Sequence, residues 1–211
     1  MRLIGLGSLL LALAVLPAGA EPLRVMTFNL WVGGDGCGLG REVSLDAQKL
    51  AIRYARADVV GLQEQADNTT SRAEVLAREL GWHCHLISTS RAVISRFPVE
   101  PVEVAEPQPD YHHRSAGTMA QAVRVTLPSG KQAVVGVVHL APAPYQPYEI
   151  VRGNLKSALE TEMNARIHRL PELESLLAQV APEQEKGLPV IVMGDFNEPS
   201  CEDWTTSTVT R

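Results

Sequence analysis

Four short apolar runs of this chain end in side chains that burial alone does not explain. Asn29 lies in Met26-Thr27-Phe28-Asn29-Leu30-Trp31, a run that otherwise favours β structure although asparagine is depleted in strands. Glu64 stands at the exit of Asp58-Val59-Val60-Gly61-Leu62-Gln63-Glu64. His139 terminates Val134-Val135-Gly136-Val137-Val138-His139, and Asp195 and Asn197 close Val190-Ile191-Val192-Met193-Gly194-Asp195-Phe196-Asn197. Residues two apart at a strand end face the same side, so Asp195 and Asn197 are expected to point into one pocket.

Taken singly, each has a structural reading. Asn29 reads as a turn former, Glu64 as a solvated residue after a strand, His139 as a half-buried histidine, and Gly-Asp-Phe-Asn as a turn in which Asp and Asn bond nearby backbone. Recurrence changes the weighing. Four strand ends with oxygen and nitrogen groups, on strands able to share one sheet edge, fit a site for a hard cation. Magnesium prefers oxygen, with one or two carboxylates and the remaining positions filled by water and substrate phosphate.

The elements that must position these groups alternate between β-branched runs and amphipathic stretches, the pattern of an α/β domain. Residues 23–30 form the first strand, and the glycine-rich stretch 33–40 follows it. That stretch lacks the Gly-Lys-Ser/Thr ending of a P-loop and the spacing of a dinucleotide fingerprint, and so reads as a flexible connection. Ser44 is expected to cap a helix over 45–57 and Ser71 one over 72–80, with the buried strand 59–62 between them. Residues 83–95 predict two strands joined near 88–90, and 99–104 another. Residues 119–127 and 132–140 predict a hairpin. A proline-rich loop, 141–148, leads to a helical region that Pro171 should divide, since proline is accepted in a helix's first turn but not inside it. The last clear strand is 189–193.

With 211 residues and 45% hydrophobic content the chain can bury one sizeable core. Residues 1–20 carry Arg2, an apolar run to Leu16, Pro17 and the small triplet Ala18-Gly19-Ala20. The pattern is that of a secretory signal peptide cleaved after Ala20, too short in its apolar run for a membrane anchor. The expected location is secreted or periplasmic, with no transmembrane anchor after cleavage. Cleavage removes Arg2 and moves the net charge from −5 to −6, so a phosphate substrate must be held by local groups or bound metal rather than by a broad basic surface. Cys37, Cys84 and Cys201 are far apart and odd in number. They allow one bridge, with the pairing open, and no metal-binding cluster.

The motifs Leu23 to Trp31, Asp58 to Glu64, Ala92-Val93-Ile94-Ser95-Arg96-Phe97-Pro98-Val99, Val138-His139-Leu140 and Gly194-Asp195-Phe196-Asn197 follow one another as in the endonuclease/exonuclease/phosphatase family, which the chain resembles from about residue 23 to about 204. The resemblance implies one domain over 21–211, a four-layered α/β/β/α sandwich of two packed mixed sheets flanked by helices. It also implies roles: Glu64 as the metal carboxylate, Asn29 orienting the metal shell or its water, and His139 hydrogen-bonding a phosphate oxygen. Asp195 would position or activate the attacking water, and Asn197 would hold the scissile phosphate. The implied cofactor is Mg²⁺, with Mn²⁺ or Ca²⁺ as alternatives, and the implied partner is a phosphate ester (nucleic acid, nucleotide, inositol phosphate or lipid headgroup) bound by a monomer.

One departure qualifies this expectation. The family closes on a Ser-Asp-His motif after further strands, whereas the last histidine here is His168 and none of Glu198, Glu202 and Asp203 is followed by histidine. The expectation is therefore a domain incomplete at its C-terminus, a fragment lacking the last strands, with a degenerate protein as the alternative. Three functions remain in view: a phosphodiesterase or nuclease, a sphingomyelinase-type lipid-headgroup phosphodiesterase, and a non-catalytic binding protein on the same fold. His83 and His85, which alternate on a predicted strand, read as a solvated face rather than a metal pair.

Overall fold

The computed structural model describes residues 21–66, 71–103 and 121–199. The leader at 1–20 and Cys201 lie outside the described residues. Among the described residues eight strands form two mixed sheets. One has the order β1 (Val25–Asn29), β2 (Val59–Gln63), β4 (Ala92–Ser95), β3 (His83–Leu86), with β1 and β2 parallel and the other pairs antiparallel. The other has the order β5 (Val99–Pro101), β6 (Ala122–Thr126), β7 (Gln132–His139), β8 (Val190–Asp195), with only β7 and β8 parallel.

Strand alternation sorts the core into three layers of side chains. Val59 and Val93 of the first sheet meet Val123, Val135, Val137 and Met193 of the second. The opposite face of the first sheet, Val60, Leu62 and Ile94, packs on Ile52 of α1 (Arg41–Tyr54) and on Ala73, Leu76 and Ala77 of α2 (Arg72–Leu80). The outer face of the second, Val134 and Val138, packs on Leu176 and Val180 of α5 (Leu170–Glu185). The result is the expected helix, sheet, sheet, helix sandwich.

Two glycines set how closely these layers approach. A Cβ on Gly61 would lie 2.8 Å from Met193 Cε and from Val137 Cγ2, and one on Gly136 would lie 2.9 Å from Leu176 Cδ1. Side chains are excluded there because a neighbouring layer already occupies the space.

Local signals held unevenly. Ser71 caps α2 as expected, accepting from Glu74 N at 3.3 Å, and Pro171 sits in the first turn of α5. Ser44 is not a cap. It lies inside α1, which begins after Gly40, and its buried hydroxyl donates to Arg41 O. The glycine-rich stretch is likewise no loose connection: Val32–Cys37 makes short 3₁₀ turns with Gly33 and Gly34 buried. Gly33 O accepts from Arg72 Nε at 2.7 Å and Gln48 Nε2 at 3.2 Å. A Cβ on Gly34 would meet Gln48 Nε2 at 2.6 Å, so close packing accounts for this glycine, while Gly38 at φ 67 and Gly40 at φ 79 serve the left-handed backbone. Pro182 lies inside α5 against the expectation, in the helix's last turn, where it forgoes its own N–H bond but only three helical residues follow it.

Among the described residues no helix is long and apolar enough to cross a membrane. Cys37 and Cys84 are both free, and burial pushes the Cys84 thiol up to about 11.

Candidate active site

The four strand ends converge, but across two sheets rather than along one sheet edge. Parallel pairing puts Asn29 beside Gln63 in one sheet and His139 beside Asp195 in the other. Edge strands β1 and β8 also contact each other between the sheets. Parallel strands that end together leave their terminal side chains at one end of the sandwich, which is why residues 166 positions apart meet there.

The centre of the cluster is the Asn29 amide. Its Nδ2 donates to Glu64 Oε1 at 2.9 Å and to Asp195 Oδ2 at 3.0 Å, while its Oδ1 accepts from Trp31 N at 2.9 Å. These partners settle which end of the amide is which, because a carboxylate only accepts and a backbone N–H only donates. Asn29 is thus a neutral spacer between two carboxylates, with its oxygen already engaged by the backbone.

Glu64 reaches the cluster because the chain bends there. Its φ of 49 lies in the left-handed region that non-glycine residues rarely occupy. The bend is held by Gly33 N donating to Glu64 O at 2.6 Å and Glu64 N donating to Ser90 Oγ at 3.3 Å. Val32 N donates to Glu64 Oε2 at 3.2 Å. The bound glycine stretch therefore holds both the backbone and the carboxylate of this residue. Trp31 at φ 51, Val32 at φ 57 and Asn197 at φ 48 share the conformation. Such strain concentrates where surrounding structure over-determines a functional geometry.

His139 is reached through Ser90, a residue that sequence reading passed over as turn material. Ser90 Oγ lies 3.0 Å from His139 Nδ1 and also accepts the Glu64 N–H. The direction of the Ser90–His139 bond follows the imidazole tautomer: with Ser90 donating to Nδ1, the neutral ring carries its proton on Nε2. Nε2 faces Glu64 Oε1 at 4.0 Å, so in that tautomer the ring turns a donor toward the carboxylate cluster.

Asn197 reaches the site by a turn, not by strand pleat. β8 ends at Asp195, and Asn197 N donates back to Asp195 Oδ1 at 2.9 Å while its Nδ2 donates to Leu140 O at 2.9 Å. Both side chains still border one pocket of about 590 Å³, together with Thr27, Gln63, Tyr145 and Glu198. Gly194 makes the close approach possible: at φ 149 its Cβ would fall 2.0 Å from Val138 O.

A second network, unread in the sequence, braces this turn. Gln146 of α3 (Gln146–Val151) is fully buried and donates to both oxygens of Glu198 at 2.5 Å. Buried Arg169 pairs with Glu198 at 3.4 Å and donates to Pro144 O at 2.7 Å. Burial lowers the Arg169 pKa, opposed chiefly by Glu198. Nothing in local sequence marks these three as partners, because they come from a helix start, a helix junction and a post-strand turn.

The site thus gathers all five residues expected from sequence. His83 and His85 lie on β3, away from it at the far edge of the first sheet. Among the described residues no group of three or more His, Cys, Asp and Glu could hold a metal by itself. Closed zinc-type coordination is a poor match to this donor set. A hard cation that takes one or two carboxylates and completes its shell with water and substrate phosphate fits Glu64 and its neighbours.

A sequence profile of the Endonuclease/Exonuclease/phosphatase family matches residues 26–211. An uncharacterized protein of Caenorhabditis elegans is 26% identical over 198 residues, covering 88% of this chain and 57% of that protein. Among solved structures, truncated C. elegans TDP2 superposes with a TM-score of 0.55 at 18% identity, over 87% of this chain and 65% of that one. D. rerio TDP2 complexed with single strand DNA product gives 0.52 at 18% identity, over 86% and 63%. At these identities the structural likeness speaks for the fold alone. The chain spans less than two thirds of the length of each of these relatives.

Proposed function

The chain belongs to the endonuclease/exonuclease/phosphatase family, and from that premise we propose that it is a phosphodiesterase that cleaves by direct attack of water at phosphorus outside the cytoplasm. The observation that carries the proposal is the Asn29 amide holding Glu64 and Asp195 together, which gives one small volume two carboxylates of different surroundings. The family typically uses Mg²⁺. Glu64 would hold the ion, which when bound would neutralise charge on the phosphoryl oxygens and polarise the phosphorus.

The chain's own groups divide the remaining tasks. Asp195 has one oxygen turned to Asn29 and the other to Asn197 N. It is oriented by two donors and can accept a proton from a water placed over it. His139, with Nδ1 engaged by Ser90, offers Nε2–H to a phosphate oxygen as charge builds there. Asn197, fixed to Leu140 O by one of its two amide hydrogens, has the other to offer the scissile phosphate. No covalent intermediate with the protein is needed.

TDP2 in complex with single strand DNA product supports a diester among the candidate substrates. The leader-like residues 1–20 support the location. The test is hydrolysis of bis(4-nitrophenyl) phosphate by the purified protein. Turnover with Mg²⁺, its loss in EDTA, and its loss in Glu64→Gln and Asp195→Asn support the proposal. Equal turnover in EDTA, or variants as active as the parent, would refute it.

A further inference from the structure

Phe196 separates two depressions. On one side is the pocket that holds Asn29, Asp195 and Asn197; on the other is a cleft of about 350 Å³ under α4 (Ala158–His168). Both are lined by Phe196 and Glu198, so they meet at shared walls. We infer that the cleft is a substrate subsite that receives an uncharged apolar substituent of the phosphodiester, and that it favours diesters carrying a short alkyl or single-ring group. The inference rests on the phosphodiesterase reading above.

Three observations carry it. The body of the cleft is apolar: Leu140, Ala165, Leu170, Leu173 and Phe196. Its four charged residues are two internal pairs, Glu162 with Arg166 at 2.8 Å and Arg169 with Glu198 at 3.4 Å. Charges already paired in the wall offer a second phosphate no free cation, whereas a neutral apolar group needs no charged partner and packs on the apolar floor.

The third observation is that α4 does not fill the space beneath it. None of its residues is buried. Its large apolar side chains Leu159, Met163 and Ile167 are exposed to solvent, and Glu162, Ala165 and Arg166 line the cleft instead. An amphipathic helix normally turns its apolar stripe inward. This one leaves an apolar-floored volume of ligand size beside the site. The acidic chain, net −5, has no broad attraction for a polyanion that would compete for that position.

The experiment uses methyl alkyl phosphate diesters from ethyl to hexyl with Mg²⁺, products being read as inorganic phosphate after an added phosphomonoesterase. In the parent protein kcat/KM should climb with chain length, by up to about four-fold per methylene, with the change in KM. Ala165→Trp fills the cleft from a helix that contributes no buried side chain, and Ala165→Glu places a charge in it. Each should flatten the series while leaving the ethyl ester within about two-fold of the parent. A flat series in the parent, or one that persists in both variants, overturns the subsite. Loss of turnover that follows a fall in melting temperature for every ester alike would assign the cleft to packing of the protein itself and also overturn it. Failure to hydrolyse bis(4-nitrophenyl) phosphate at all would instead overturn the phosphodiesterase reading, and the subsite with it.

Discussion

Replacing Asn29 by alanine removes a group that hydrogen-bonds both Glu64 and Asp195. Two hydrogen bonds to ionised oxygens, at 2.9 and 3.0 Å, disappear together, along with the acceptor for Trp31 N. Hydrogen bonds to charged groups contribute roughly 1.5–3 kcal/mol each, and bonds that share a donor do not add. If the equivalent of one such bond is expressed in the transition state, kcat falls by about ten- to about 150-fold. Asn29→Asp should be worse without metal, because it sets a third carboxylate where a neutral donor kept two apart. Adding Mg²⁺ should then raise the melting temperature of Asn29→Asp by more than that of the parent, since the ion relieves a larger repulsion. The assay is kcat and KM on bis(4-nitrophenyl) phosphate, paired with melting curves with and without Mg²⁺. Retention of kcat within about two-fold in Asn29→Ala would refute the spacer argument. So would an Mg²⁺ effect on Asn29→Asp no larger than on the parent.

Three further outcomes are expected. Bonds from Arg124, at 2.6 and 2.9 Å, and from Lys186 hold the Glu183 carboxyl down to about 2. A folded pKa below the unfolded value of 4.5 means that its stabilisation is full above about pH 4.5 and is lost as pH falls through about 2. Glu183→Gln should therefore be less stable than the parent at pH 7, with the gap closing toward pH 2 in denaturant titrations. Gly194→Ala places a Cβ against Val138 O and should destabilise by about 3 kcal/mol or more, visible as a lost or low melting transition; a change under about 1 kcal/mol would contradict the β7–β8 geometry. Glu198→Ala leaves Arg169 buried without its carboxylate and should lower stability by about 2 kcal/mol, less than the 3–5 typical of fully buried pairs because Glu198 is itself 30% exposed. Glu198→Gln should recover part of that loss in the same denaturant assay.

Much of the frame was legible from local pattern. The strands around Val60, Val93, Val135 and Ile191 stand out because a β-branched run has few other ways to bury both faces. Helix α2 is marked at both ends, by Ser71 and by Gly81 at φ 70. The misreadings have different causes. Ser44 looks like a cap, but α1 starts one turn earlier and its hydroxyl bonds Arg41 O within the helix; Gly33–Gly34 look like a flexible linker, but Gln48 and Arg72, distant in sequence, hold the glycine carbonyl. Ser90, Gln146, Arg169 and Glu198 carried no local signal, because a polar residue in a turn or a helix start reads as solvated until its partner is known.

The sequence by itself determined which side chains stand at the strand ends and in what order. It therefore also determined the oxygen-rich chemistry that Asn29, Glu64, His139, Asp195 and Asn197 can support, because residue type sets protonation and ligand preference. Only the tertiary structure decided that these ends belong to two sheets. Only it decided that Asn29 spaces two carboxylates with its amide nitrogen, that Ser90 orients His139, and that Asn197 arrives by a left-handed turn. Those facts depend on the register between strands and on how closely two sheets pack, and register is fixed by non-local burial that no short stretch of residues encodes.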